Sequence, residues 1–198
     1  NDPADATGLA HYLEHILFKG TSKIGALDWE SEKPLLDEIE ALYEQLRKTN
    51  DINERDEIYK KIDEVSGKAA TYAAANEYDK FVSNFGAKGT NAHTWYEETV
   101  YKNDIPSNYL EKWLEVESER FGEVVTRLFH TELEAVYEEK NRSLDNDFRK
   151  TYTAALETLF KKHQYGTQTT IGTIDHLKNP SITEIKKYFY KYYVPNNY

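Results

Sequence analysis

Near the start of the chain, two histidines and a glutamate stand at spacings that metal chemistry can use. His11-Tyr12-Leu13-Glu14-His15 sets two imidazoles four residues apart, which on a helix means one turn apart on one face. Such a pair can hold one zinc ion through ring nitrogens at ~2.0–2.1 Å. Glu14 lies on the same side without occupying the same position. It can take a proton from a water that the metal has made acidic, and pass it to a leaving amine after attack on a polarised carbonyl. The bland alternative is three polar residues facing solvent. Against it, Leu9, Ala10, Leu13, Ile16 and Leu17 give Ala6 to Phe18 a strongly amphipathic helical pattern, and the pair takes two of only six histidines.

A catalytic zinc takes three protein ligands and leaves one position open. The chain contains no cysteine, so the third ligand must be His, Asp or Glu. The helical pattern after Phe129 offers Glu132, Glu134, Glu138 and Glu139. Glu132 and Glu139 fall two turns apart along one face, whereas Glu138 projects nearly sideways. Glutamates early in a helix also serve the helix dipole, and spacing alone does not choose among them.

The elements that must position these groups are partly legible. Asp5 is placed to cap the first helix and Gly20 to stop it. From about Leu27 to Tyr72, Leu35, Ile39, Leu42 and Leu46, then Ile58, Ile62, Val65, Ala69 and Tyr72, form two narrow apolar seams. The polar link Thr49 to Asn53 joins them, which predicts an antiparallel helical hairpin with a solvated charged face. A helix is expected over Ala73 to Phe85, and the run Thr90 to Tyr101 reads as the clearest strand. Another helix follows over Asn108 to Phe121. Thr131-x-x-Glu134 resembles a capping box opening a long helix towards Phe160, with a break near Asp145-Asn146-Asp147; Ser181-x-x-Glu184 is a second box. One strand makes no stable sheet, so further strands are either unseen or lie outside this chain.

Composition narrows the function. The 198 residues carry 25 Lys+Arg against 35 Asp+Glu, a net charge of −10. That balance argues against a nucleic-acid partner, which needs a basic stripe. Aromatics reach 14%, including 16 Tyr, unlike a disordered chain. No apolar run is long enough to make a transmembrane segment, and without cysteine the redox compartment cannot be read.

The motifs, taken in order, resemble those of one family. Gly8-Leu-Ala-His-Tyr-Leu-Glu-His-Ile-Leu-Phe-Lys-Gly-Thr21 resembles the active-site segment of the M16 peptidases, the inverzincins that carry His-x-x-Glu-His. Asn91-Ala-His-Thr with Glu98-Thr-Val-Tyr101 resembles the family's strand beside the site, and Glu132 to Glu139 its distal-glutamate helix. Tyr165-Gly-Thr, Ile171-Gly-Thr, His176-Leu-Lys-Asn179 and Tyr193-Val-Pro-Asn-Asn197 resemble later landmarks, so the likeness spans nearly the whole chain.

The resemblance implies an α+β fold: the helix-rich part of a LuxS/MPP-like metallohydrolase domain with few strands. Residues 1–198 would form a single partial M16 N-terminal domain with the hairpin of about 27–72 as an insertion, as in bacterial members. It makes His11, His15 and Glu139 the Zn2+ ligands, Glu14 the general base and Glu132 the supporting second glutamate. Asn91 and Ala92 match the strand edge where a peptide substrate adds as an extra strand. It further implies a second M16 half-domain, in the same or another chain, and missing strands beyond residues 1–198, so this chain alone should show little activity. A bacterial periplasmic or membrane-associated parent is the implied setting. The alternative within the family is a non-catalytic peptide-binding or scaffolding subunit. Two departures stand out: the hairpin lengthens the interval from His15 to Glu139, and His93 with Trp95-Tyr96-Glu97 replaces a commoner Ser/Arg-containing stretch.

Overall fold

The computed structural model describes residues 2–198. The first helix, α1 (Leu9–Ile16), is shorter than its apolar pattern and is not capped by Asp5, which is exposed. The chain turns through Gly8 at φ 86°. The Asp2 carboxylate accepts instead from the backbone N–H groups of Gly8, Leu9 and Ala10 at 2.8, 3.2 and 3.1 Å. A carboxylate there satisfies donors that the first turn leaves unpaired. The inner face of α1 is the centre of the core, with Leu13 and Ile16 wholly buried.

The expected hairpin forms from α2 (Trp29–Lys48) and α3 (Ile52–Ala70), each capped by an aspartate: Asp28 accepts from Ser31 N–H and Asp51 from Glu54 N–H. Ile58, Ile62, Val65 and Ala69 are buried as expected. On α2 the buried seam is Leu36, Ile39, Tyr43 and Leu46, while Leu35 and Leu42 flank it half-buried. The charged face of α2 is not simply solvated. Glu32 is fully buried, Glu44 accepts from Ser181 Oγ at 2.7 Å, and Glu40 accepts from Thr183 Oγ1 at 3.0 Å and pairs with Lys186. Glu40 and Glu44 lie on the side of α2 that meets the C-terminal helix, and Glu32 meets Arg127, packing that the apolar period does not reveal.

The expected helix over 73–85 is confined to α4 (Glu77–Asn84), because Asn76 just before it is left-handed. The run read as one strand is a hairpin: β1 (Lys88–Thr94) pairs antiparallel with β2 (Thr99–Asp104). Trp95 N–H donates to Glu98 C=O at 2.8 Å to close the turn. The strand-forming residues on both sides of that turn hide it in the sequence. Among the described residues this is a two-stranded sheet.

A 3-10 turn leads into α5 (Leu110–Gly122), and an irregular segment follows, burying Val124 and Val125. Next comes α6 (Phe129–Leu144), which starts ahead of Thr131 behind a left-handed Leu128, so Thr131 and Glu134 form no capping box. The chain breaks at Asp145 as expected and resumes in α7 (Asp147–Leu159), capped by Asn146. Two short helices, α8 (Gln164–Thr167) and α9 (Ile174–Lys178), precede α10 (Ile182–Tyr192). Ser181 Oγ accepts from Glu184 N–H at 3.1 Å, so this expected cap forms. The whole is a helix-rich α+β fold in which α1 packs against α6, α10 and the β-hairpin.

Candidate metal centre

Helix α1 sends its apolar side into the core and its opposite side into an open cleft of about 1270 Å³. His11 and His15 stand one turn apart on that side, with ring centroids 4.9 Å apart. Glu139 reaches them from α6: its Oε2 lies 3.6 Å from His11 Nε2 and 3.8 Å from His15 Nε2. The candidate ligand atoms of all three residues lie within 4.8 Å of one another. Two donors on a tetrahedral zinc at ~2.0–2.1 Å are about 3.3 Å apart. The nitrogen and oxygen donors therefore fit zinc in type, number and, after a small inward movement, spacing.

The electrostatics favour ligation at neutral pH. Burial first, and the neighbouring His15 second, push the His11 imidazole down to about 4, which keeps it neutral, as a ligand must be. His15 has outer support: its Nδ1 lies 3.3 Å from Glu132 Oε2, and Lys19 Nζ lies 2.7 Å from the other oxygen of that carboxylate. Burial pushes the Glu132 carboxyl up, but the hydrogen bonds with His15 and Lys19 outweigh it and leave it below the usual range. Carboxylate contacts of this kind fix the ring orientation of a ligating histidine. His11 lacks such support, since its Nδ1 is buried without a hydrogen-bond partner among the described residues.

Glu14 is buried beside the pair and accepts from Thr94 Oγ1 at 2.5 Å. Burial pushes its carboxyl above the usual range, and the Thr94 hydrogen bond pulls it part of the way back. A raised carboxyl pKa suits a group that must both take and release a proton.

Strand β1 forms the far wall. Trp95 and Glu98 are a hydrogen-bonded pair, and such pairs alternate along an antiparallel ladder. With Thr94 opposite Thr99 and Ala92 opposite Tyr101, the backbone groups of Ala92 and Thr94 point away from β2, to the free edge. Among the described residues, Ala92 N–H donates to the Asn91 side-chain oxygen, at 3.0 Å. Asn91 itself stands opposite Lys102 with its backbone turned towards β2. The two predicted substrate contacts thus differ: Ala92 offers backbone to the edge and Asn91 a side chain. His93 is exposed on the strand, 3.6 Å from Glu98, and is not one of the three grouped candidate ligands.

His11, His15 and Glu139 are therefore brought together, with Glu14 and Glu132 beside them. Sequence reasoning missed Thr94, Lys19 and Asp2. Lys19 carries a readable signal, four residues after His15 on the same helical side; Thr94 and Asp2 become visible only through tertiary contacts.

A helix bearing His-x-x-Glu-His, a glutamate helix facing it and an antiparallel hairpin alongside thus frame a centre whose donors could hold zinc. Comparison with known proteins agrees. The zinc protease PqqE of Helicobacter pylori is 27% identical over 187 residues, covering 93% of this chain and 41% of that protein. A solved structure of a protease from Helicobacter pylori superposes on 100% of this chain and 36% of its own, with a TM-score of 0.69 and 25% identity. The chain thus spans 41% of the length of that curated relative. No family model matches it.

Proposed function

We propose that this chain is the metal-bearing part of a zinc-dependent endopeptidase acting on extended peptides. The observation that carries the reading is the convergence of His11 and His15 on α1 with Glu139 on α6. Bound zinc would supply Lewis acidity towards a carbonyl and a lowered pKa for water. Every other role falls to the chain. Glu14 takes the proton of the attacking water on its carboxylate, held in place by Thr94 Oγ1, and returns it to the leaving amine. Glu132, anchored by Lys19, holds the His15 ring. Ala92 and Thr94 present outward backbone groups that an extended peptide can pair with as an added strand, while Asn91 borders that edge.

The relative's greater length fits a parent in which a second M16 half-domain closes the chamber, and we propose little or no turnover by this chain alone. The complete set of metal and acid–base groups favours an enzyme over a scaffolding subunit. The test is metal content and peptide cleavage in the full-length parent, wild type against Glu14→Gln. Retained zinc with cleavage reduced at least ~100-fold is expected for a general base. Unchanged cleavage in the variant would overturn the mechanism.

A further inference from the structure

Four Lys and Arg side chains line the cleft: Lys19, Lys140, Arg149 and Lys150. Three are accounted for. Lys19 pairs with Glu132 at 2.7 Å and Lys150 with Asp147 at 3.2 Å. Lys140 is buried, with its amine turned to Thr169 Oγ1 at 3.4 Å. Arg149 is exposed in the first turn of α7 and donates only its backbone N–H, to Asn146 Oδ1 at 3.0 Å. Its guanidinium has no ion pair or hydrogen bond among the described residues, and it lines the same cleft as His11, Glu14 and His15. The charge therefore stands in the cleft that holds the candidate ligands.

The surroundings make this position one that a substrate side chain would meet. Phe148 stacks on Tyr152 with centroids 6.3 Å apart, and Tyr152 lies 6.5 Å from Trp95 at the end of β1. The start of α7 is thus a wall facing the strand edge, and Arg149 is the one ionic group on it without an answer. Its planar fork matches a carboxylate with two parallel hydrogen bonds. Glu14 and Glu157 also line this cleft and repel an incoming carboxylate, so on the α7 wall, away from the candidate metal ligands, an acidic group is met by the Arg149 cation.

We infer that Arg149 selects a carboxylate of the peptide substrate, either an Asp or Glu side chain or a chain terminus, next to the cleaved bond. The inference rests on the peptidase reading above. The test uses the zinc-loaded full-length parent and one peptide series carrying Glu, Gln or Lys on either side of the cleaved bond, each with a free or amidated C-terminus. We expect kcat/KM for Glu to exceed that for Gln on the order of 10-fold at low salt. In Arg149→Gln the ratio falls to about one, and in Arg149→Glu the order reverses to favour Lys. If the preference follows the free terminus and is lost in the same variants, the carboxylate is the terminal one. Equal cleavage of all the peptides by wild type, or a preference that survives both substitutions, overturns the inference and leaves the peptidase reading standing. Absence of cleavage of every peptide by wild type removes both.

Discussion

Glu32 and Arg127 form a two-pronged ion pair in the dry interior: Nε lies 2.6 Å from Oε1 and Nη2 2.7 Å from Oε2, with both side chains essentially without solvent contact. The remaining guanidinium donors go to the carbonyl oxygens of Lys19, Thr21 and Ile24. One arginine thereby fastens the connection after α1 to the start of α2. Breaking such a pair from one side leaves a buried charge unmatched, at about 3–5 kcal/mol. Glu32→Gln and Arg127→Met should each lower stability by that order, read from urea unfolding of the metal-free protein. A loss below about 1 kcal/mol in both would show that the pair is not holding the connection.

Glu132 touches no proposed open position, yet it orients His15. Replacing it by Gln should weaken zinc affinity by about 10- to 100-fold, measured by competition with a chromophoric chelator at pH 7. Lys19→Met should act in the same direction and less, because it leaves the carboxylate in place.

Close backbone contact joins Gly8 to Gly172. Gly8 has φ +86°, and a Cβ there would stand 2.5 Å from Ile171 O; one on Gly172 would stand 2.3 Å from Thr7 O. Ala at either position must both strain the backbone and push two segments apart, costing more than about 1 kcal/mol. Since Gly8 precedes the first residue of α1, Gly8→Ala should also displace His11. Thermal unfolding and zinc titration of the same sample should report the two effects together.

Acid should destabilise the metal-free protein through His11. Its pKa falls from 6.5 in the unfolded chain to about 4 when folded. Between those values the unfolded chain holds a proton that the folded one does not. The stabilisation is therefore complete above pH 6.5 and lost as pH falls towards 4, with a limit of roughly 3 kcal/mol. Glu14, raised by burial, works in the opposite sense: its contribution is fullest in acid and fades as pH rises. Comparing wild type with His11→Asn isolates the histidine. The drop in unfolding free energy from pH 7.5 to 4.5 should be larger in wild type, and equal drops would remove this assignment.

Much of the site could be read directly because its groups sit on helices. His11, Glu14 and His15 are fixed relative to one another by helical geometry alone. The break at Asp145 and the cap at Ser181 were equally local. What escaped depends on contacts between distant segments. Asp5 looked like a cap, but a residue three positions earlier reaches three donors across a left-handed glycine. Thr90 to Tyr101 looked continuous because its turn, Trp95 to Glu98, contains no Gly or Pro. The charge stripe of α2 looked solvated because nothing local distinguishes Glu32, which is buried against Arg127, from Lys33, which is not. Choosing Glu139 from four neighbouring glutamates needed either the family resemblance or the approach of α6 to α1.

The free edge of β1 has a consequence beyond substrate. Backbone groups open to any extended chain are open to another molecule's β1 as well, and unpaired strands of this kind invite self-association. Asn91 answers part of that hazard, since its side-chain oxygen occupies the outward N–H of Ala92. A peptide must displace that contact to add to the strand, and so must a second copy. The asparagine therefore works as a removable guard, and trading it for alanine should make the protein more prone to pairing with itself as its concentration rises.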